Sequence, residues 1–125
     1  MIYRTKQEVP AVNWGNGTSH RLLTAADEMG FTVAHTVVHA GTESRLQYRR
    51  HLEACYCISG SGKVYSADGR SVYEITPGAI YALNEHDAHV LAASGDEDLH
   101  LISIFNPPLV GDEQHTLDPN GFSQY

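Results

Sequence analysis

The sequence lacks the features that mark several common classes of protein. Only two of its 125 residues are cysteines, which excludes a framework of several disulfides. Lysine and arginine number 8 against 15 acidic residues, which argues against the basic face that nucleic-acid binding needs. No apolar run approaches the roughly 20 residues that span a bilayer. The start MIYRTKQEVP also lacks the apolar core of a signal peptide, so we expect a cytoplasmic protein with no membrane or nucleic-acid partner.

The two cysteines, Cys55 and Cys57, are poorly placed for a disulfide with each other. Residues two apart in a strand lie near or beyond the Cα separation of about 7 Å that a disulfide tolerates. Their spacing also differs from the C-x-x-C pairs of zinc sites. We therefore expect two reduced thiols that pack inside the protein as small apolar groups.

Short alternating segments fill the chain from about residue 31 onward. They include FTVAHTVVHA, GKVYSA, SVYEI and HVLAA, and turn residues separate them at fairly even intervals. The pair Asp68-Gly69 is a good hairpin signal, because both residues tolerate positive φ. Many short strands predict an all-β barrel or jelly roll in a single domain, residues 1–125. From about residue 106, the proline-rich run NPPLVGDEQHTLDPNGFSQY predicts a tail or lid rather than a strand.

The segment RRHLEACYCISGSG, residues 49–62, places polar and ionisable side chains at alternate positions. In a strand, His51, Glu53, Cys55 and Cys57 would share one face. Burying a carboxylate and an imidazole on that face is costly unless a partner compensates for them. Inward positions of a small barrel converge on one axis, so we expect a polar site there.

A second segment, TPGAIYALNEHDAHVL, supplies further polar groups. Together the two segments resemble the motifs of the cupin superfamily, in which a glutamate and a histidine bind a metal within a jelly-roll barrel. Here these positions are Glu53 and His89. The usual His-x-His pair before the glutamate is missing, since RLQYRR contains no histidine. Tyr81 is the candidate third ligand, and this set of two oxygens and a nitrogen suits Fe(II), with Zn(II) as the alternative.

Several blocks narrow the resemblance to one family. AGTE, HLEACYCISGSG, PGAIYALNEHDAHVL and FNPPLVG together resemble the ectoine synthases. The resemblance implies a dimeric cupin that closes N-γ-acetyl-L-2,4-diaminobutyrate into the cyclic amidine ectoine with loss of water. It implies Glu53, Tyr81 and His89 as the metal ligands. The other residues carried over by position are Trp14, Arg21, Thr36, Ser103 and Phe105 for substrate binding, and Tyr48, His51, Glu113 and His115 for catalysis.

The implied chemistry agrees with these residue types. The substrate's α-amine must attack its own amide carbonyl, a poor electrophile that a metal on the oxygen would polarise. The amine must lose a proton and the oxygen must leave as water, so a base and an acid are needed, and Glu113, His51 and Tyr48 are eligible. Arg21 can pair with the substrate carboxylate through two hydrogen bonds. A tail closed over the barrel would exclude the water that reverses the condensation.

Three positions depart from the pattern of the family. Ser103 stands where a cysteine is usual, and Ala34 stands where a polar residue is usual. Trp14 lies farther before Arg21 than is usual, so it either reaches the pocket across an extended loop or loses that contact. Two alternatives stay open: a related cyclase or hydrolase for another acetylated diamino acid, and a non-catalytic cupin that binds a small molecule. The remaining histidines show no ligand spacing and are expected at the surface or in loops: His20, His35, His39, His86 and His100.

Overall fold

The alternating segments form the strands of two packed sheets. The computed structural model describes residues 1–118 and 120–124, so Pro119 and Tyr125 of the predicted domain lie outside the described residues. The strands are β1 Ala11–Asn13, β2 Gly17–Leu23, β3 Thr32–Val38, β4 Glu43–Gln47, β5 Leu52–Ser59, β6 Gly62–Ser66, β7 Val72–Ile75, β8 Ile80–Leu83, β9 His89–Ala93, β10 Leu99–Asn106 and β11 Ser123–Gln124. The predicted all-β class is confirmed.

Helical structure within the described ranges is limited to one 3-10 turn, Ala25–Asp27. In that part of the chain, no helix is long and apolar enough to cross a membrane.

The two sheets face each other across the core. One has the strand order β1-β2-β3-β10-β5-β8, and the other has the order β11-β4-β9-β6-β7. In β5 the alternation is as predicted: Glu53, Cys55 and Cys57 are buried, whereas Tyr56 and Ile58 are exposed. The inward side chains of the strands pack between the sheets and leave room for a polar cavity at one end.

Glycine is required at two places where strands begin or connect. Asp68-Gly69 joins β6 to β7, with Gly69 at φ 73°, which confirms the hairpin prediction. The start of β2 needs glycine for a different reason, because a Cβ on Gly17 would collide with the carbonyl oxygen of Val37. This close approach also seats Trp14, whose indole Nε1 donates to the same oxygen at 3.3 Å.

The tail after β10 folds back over the end of the barrel. Leu109 is fully buried, its N–H donates to Thr32 Oγ1 at 2.8 Å, and its carbonyl accepts from Ala25 N–H at 2.7 Å. The tail ends in β11, which pairs in parallel with β4. The expectation of a tail without a strand was therefore wrong, because the edge of β4 offers unpaired backbone groups that the returning chain can satisfy.

Replacing Leu109 with alanine is expected to reduce the free energy of unfolding by about 2–5 kcal/mol, since it leaves a cavity under the tail. The matched control is Val110→Ala, because Val110 is 72% exposed and has little buried surface to lose. Chemical denaturation of both variants measures the difference. Equal stability of the two variants would show that the tail is not anchored at Leu109.

Candidate active site

A cavity opens between the sheets on the inward faces of β2, β3, β5, β8 and β10. Eight of the predicted site residues line it: Trp14, Thr36, Tyr48, Glu53, Tyr81, Ser103, Phe105 and His115. Ser19 and Cys55 also line it, and the sequence reasoning did not place them there. For Cys55 the sequence did contain the evidence, because period-two alternation puts Cys55 on the same face of the strand as Glu53. The lining also includes Leu46, Leu91 and Leu101, which make one wall apolar.

His89 approaches from the other sheet and lines an adjoining cavity that shares Tyr81 with the first. The centroids of the Tyr81 and His89 rings lie 6.4 Å apart. His89 is 2% exposed, and its Nδ1–H donates to the backbone oxygen of Asp87 at 3.0 Å. Its Nε2 is buried and has no hydrogen-bond partner among the described residues. A ring held by one nitrogen, with the lone pair of the other unused, has the arrangement of a metal-ligating histidine.

Glu53 and Tyr81 present their oxygens from neighbouring strands. Burial raises the pKa of Glu53 to about 8, although hydrogen bonds from Cys55 and Ser103 oppose the shift. Burial, with Cys55 and Glu53 beside it, raises the pKa of Tyr81 well above 10. Both groups are therefore protonated at neutral pH unless a cation stabilises their charged forms.

No group of three histidine, cysteine, aspartate or glutamate side chains within residues 1–118 and 120–124 is arranged to hold a metal ion. The predicted set has only two members of those types, since its third ligand is the phenol of Tyr81. Its chemistry still fits a divalent cation, because the buried carboxyl of Glu53 and the phenol of Tyr81 line one cavity, and Tyr81 also lines the adjoining cavity with His89, whose Nε2 is unused.

Tyr48 and His115 form a hydrogen-bonded pair in the lining of the cavity. His115 Nε2 lies 2.9 Å from Tyr48 Oη, and His115 Nδ1 lies 2.8 Å from Ser123 Oγ. Burial is the main cause that lowers the pKa of His115 to about 3, with His89 and Arg21 adding to it. The imidazole is therefore neutral at physiological pH, and both of its nitrogens have hydroxyl partners.

Arg21 and Glu113 contact each other next to the cavity rather than lining it. The buried guanidinium of Arg21 donates from Nη2 to the backbone oxygen of Glu113 at 2.6 Å, and Nη1 lies 3.6 Å from Glu113 Oε1. The Glu113 carboxylate accepts the N–H groups of Val110 and Gly111, both at 2.8 Å. Burial raises the pKa of Glu113, but these N–H groups and Arg21 outweigh it, so its net pKa is lowered.

His51 lies just before β5 and does not line the cavity. Its Nδ1–H donates to the backbone oxygen of Pro107 at 2.7 Å, and its ring packs edge-on against Phe105 at 6.2 Å between centroids. His51 therefore links the start of β5 to the start of the tail.

The structure gives two of the three departures from the family pattern, Ser103 and Trp14, a definite environment. The hydroxyls of Ser103 and Thr36 lie 2.9 Å apart and satisfy each other. Ser103 also lies directly opposite Cys55 in the sheet, with 3.5 Å between Oγ and Sγ. Trp14 lines the cavity, so of the two alternatives for its loop, the structure favours the one in which it reaches the pocket.

The two packed sheets and the enclosed polar cavity define this protein as a cupin. The fold alone is shared with KdgF from Halomonas sp., at a TM-score of 0.71 and 16% identity over 85% of this chain and 94% of that chain. The crystal structure of ectoine synthase from P. lautus is more similar, at a TM-score of 0.82 and 38% identity over 89% of this chain and 81% of that chain.

Sequence comparison narrows the class to a family. The ectoine synthase family model matches residues 1–123. The L-ectoine synthase of Halalkalibacterium halodurans is 46% identical over 120 residues, which cover 96% of this chain and 88% of that protein. That of Desulfosudis oleivorans is 45% identical over 117 residues, which cover 94% and 88%. The chain belongs to the ectoine synthase family.

Proposed function

We propose that the protein closes N-γ-acetyl-L-2,4-diaminobutyrate into ectoine and releases one molecule of water. The observation that carries this proposal is the match to L-ectoine synthases over nearly the whole chain, at 46% identity across 96% of it. The cavity supports it, because hydroxyl groups and the buried carboxyl of Glu53 line it together, and the guanidinium of Arg21 donates to Ser19, which also lines it.

Glu53, Tyr81 and His89 would hold one divalent cation, Fe(II) by preference with Zn(II) as the alternative. When bound there, the cation supplies Lewis acidity toward a carbonyl oxygen. The support is local: a buried carboxyl with a pKa raised to about 8 and the unpartnered Nε2 of His89 are both costly until a cation engages them.

Arg21 would bind the carboxylate of the substrate. In the present structure its guanidinium already contacts the backbone oxygen and the carboxylate of Glu113. A substrate carboxylate can accept two hydrogen bonds from the guanidinium and would replace these contacts, which leaves the Glu113 carboxylate held by the N–H groups of Val110 and Gly111 for the substrate amine. Glu113 would then accept the proton that the amine must lose before it attacks.

Tyr48 and His115 would deliver the proton that the departing oxygen needs. Their 2.9 Å contact allows the phenol to give up its proton while the neutral imidazole supplies or accepts one behind it. Thr36 and Ser103 would orient the amide, and Trp14 and Phe105 would exclude water from the reacting atoms. His51 would act by positioning the tail through Pro107 rather than by touching the substrate.

The experiment that tests the proposed function is incubation of the Fe(II)-loaded protein with N-γ-acetyl-L-2,4-diaminobutyrate, followed by NMR. We expect the signals of the cyclic amidine to appear and those of the open chain to disappear. A His89→Ala variant should show neither metal retention nor product. Tight binding of the substrate without any conversion would instead favour the non-catalytic small-molecule-binding cupin.

We propose a homodimer through the outer face of β5 and β8. Leu52, Tyr56, Ile58 and Ile80 are all exposed on that face, and β8 is an edge strand of its sheet among the described strands. A second copy would cover both the apolar side chains and the open edge. Ile80→Asp is expected to halve the mass measured by light scattering, and an unchanged mass would contradict this interface.

A cytoplasmic location stays a proposal, supported by two free thiols.

A further inference from the structure

Three histidines that the sequence analysis treated as isolated lie side by side on the outer face of the six-stranded sheet. His20 is on β2, His35 on β3 and His100 on β10, which are adjacent strands. Their spacing along the chain did not show this proximity, because strand pairing joins residues that are far apart in sequence. We propose that His35 and His100 form a second metal site, a two-histidine chelate for Cu(II) or Ni(II), with His20 beside it as a further ligand.

The geometry of the central pair carries the proposal. His35 Nε2 and His100 Nδ1 lie 2.9 Å apart, and their rings are perpendicular, with centroids separated by 5.2 Å. Once both rings turn so that these two nitrogens aim at one point beside the pair, bonds of about 2.0–2.1 Å to a metal there would meet at about 90° if the 2.9 Å separation is kept. That angle belongs to square-planar or tetragonal coordination, which Cu(II) and Ni(II) prefer, whereas tetrahedral Zn(II) needs a wider one. The hydrogen bond between the rings is what a metal would replace.

His20 is the proposed third ligand of this site. It lies directly opposite His35 in the pairing of β2 and β3, and the two rings are 6.2 Å apart between centroids. Its Nε2 lies 3.2 Å from Thr18 Oγ1, and its Nδ1 is buried near the backbone of Lys6, so a metal would have to replace the Thr18 contact. Since the three rings do not converge on one point as they stand, the site begins with two nitrogens and gains the third when the ring of His20 turns.

The nearby positive charge of Lys6 leads to a further prediction, which is the direction in which its removal changes the affinity for metal. Lys6 acts electrostatically on both His20 and His35. Its ammonium therefore opposes any bound cation, and its removal should strengthen metal binding. The site is independent of the proposed cyclisation, because these side chains point away from the cavity that holds Glu53.

The test is a titration of the full chain with Cu(II) alone, followed by calorimetry and by electron paramagnetic resonance. We expect two binding events, one at the proposed site of Glu53, Tyr81 and His89 and a second whose spectrum shows ligation by imidazole nitrogens. The second should weaken at least about tenfold in His35→Gln and in His100→Gln, which leave the first unchanged, since even outer-shell changes alter metal affinity 10–100-fold. The matched control His39→Gln should bind like the unaltered protein, because His39 is exposed on the turn after β3. Lys6→Gln should bind about two- to threefold more tightly at low ionic strength.

Glutamine keeps an amide that can hydrogen-bond the remaining histidine, and circular dichroism checks that each variant folds. Equal Cu(II) affinity in His35→Gln and the unaltered protein would overturn the proposal, as would an equal loss in His39→Gln. The result also separates the two sites: loss of nitrogen-ligated Cu(II) in His35→Gln while ectoine formation persists would support this proposal irrespective of the cyclisation.

Discussion

Glu53→Gln is expected to abolish stoichiometric metal binding and to lower kcat/KM by at least about a hundredfold. A neutral amide is a much poorer ligand for a divalent cation than a carboxylate in the same buried position. Metal content by mass spectrometry and turnover with N-γ-acetyl-L-2,4-diaminobutyrate measure the two effects. Glu74→Gln is the matched control, since the Glu74 side chain is 70% exposed on β7.

In protein stripped of metal, Glu53→Gln is expected to change how the free energy of unfolding depends on pH. The pKa of Glu53 is about 8 in the folded protein, against an ordinary value of 4.5. Between these values the folded state holds a proton that the unfolded chain has released, so the free energy of unfolding falls as pH rises through that window. The expected fall is several kcal/mol. The free energy of unfolding of the unaltered protein should therefore fall relative to that of Glu53→Gln as pH rises over this range, and a constant difference between the two proteins would contradict the assignment.

Truncation after Leu109 is expected to lower kcat/KM by two orders of magnitude or more while leaving metal content unchanged. It removes Glu113, His115 and β11 but keeps the buried Leu109 anchor, and acid–base groups are typically worth about 10²–10⁴ in rate. None of the three proposed metal ligands lies beyond Leu109, so metal binding should persist.

Asp112→Asn serves as the control within the tail, because Asp112 is exposed and its side chain makes no hydrogen bond described for this part of the chain. Normal turnover of the truncated protein would show that the chemistry is done by the barrel alone. Loss of metal together with activity would show instead that the tail supports the ligands.

The strands were predictable because alternation is a local property. The face of β5 that carries Glu53 follows from period two alone, and so does the hairpin at Asp68-Gly69. The resemblance to the family named eight residues that the fold brings into one cavity. These positions are spread from Trp14, before β2, to His115 in the tail, so no local pattern could have joined them.

What the sequence did not reveal depends on contacts between distant segments. The contact of Arg21 with Glu113 needs the tail to fold back, and the strand β11 needs the open edge of β4. Cys55 was interpreted as packing because a thiol is often apolar filler, yet it lies opposite Ser103 inside the cavity. The histidine cluster was missed for the same reason, since His35 meets His100 only through the pairing of β3 with β10.

The central claim is that this cavity condenses its substrate and expels the acetyl oxygen as water. Substrate labelled with oxygen-18 at the acetyl carbonyl tests it directly, with mass spectrometry of every product from the Fe(II)-loaded protein. The account predicts unlabelled ectoine and labelled water in equal amounts. Labelled acetate would instead identify an amide hydrolase, and recovery of intact labelled substrate would contradict catalysis of this reaction altogether.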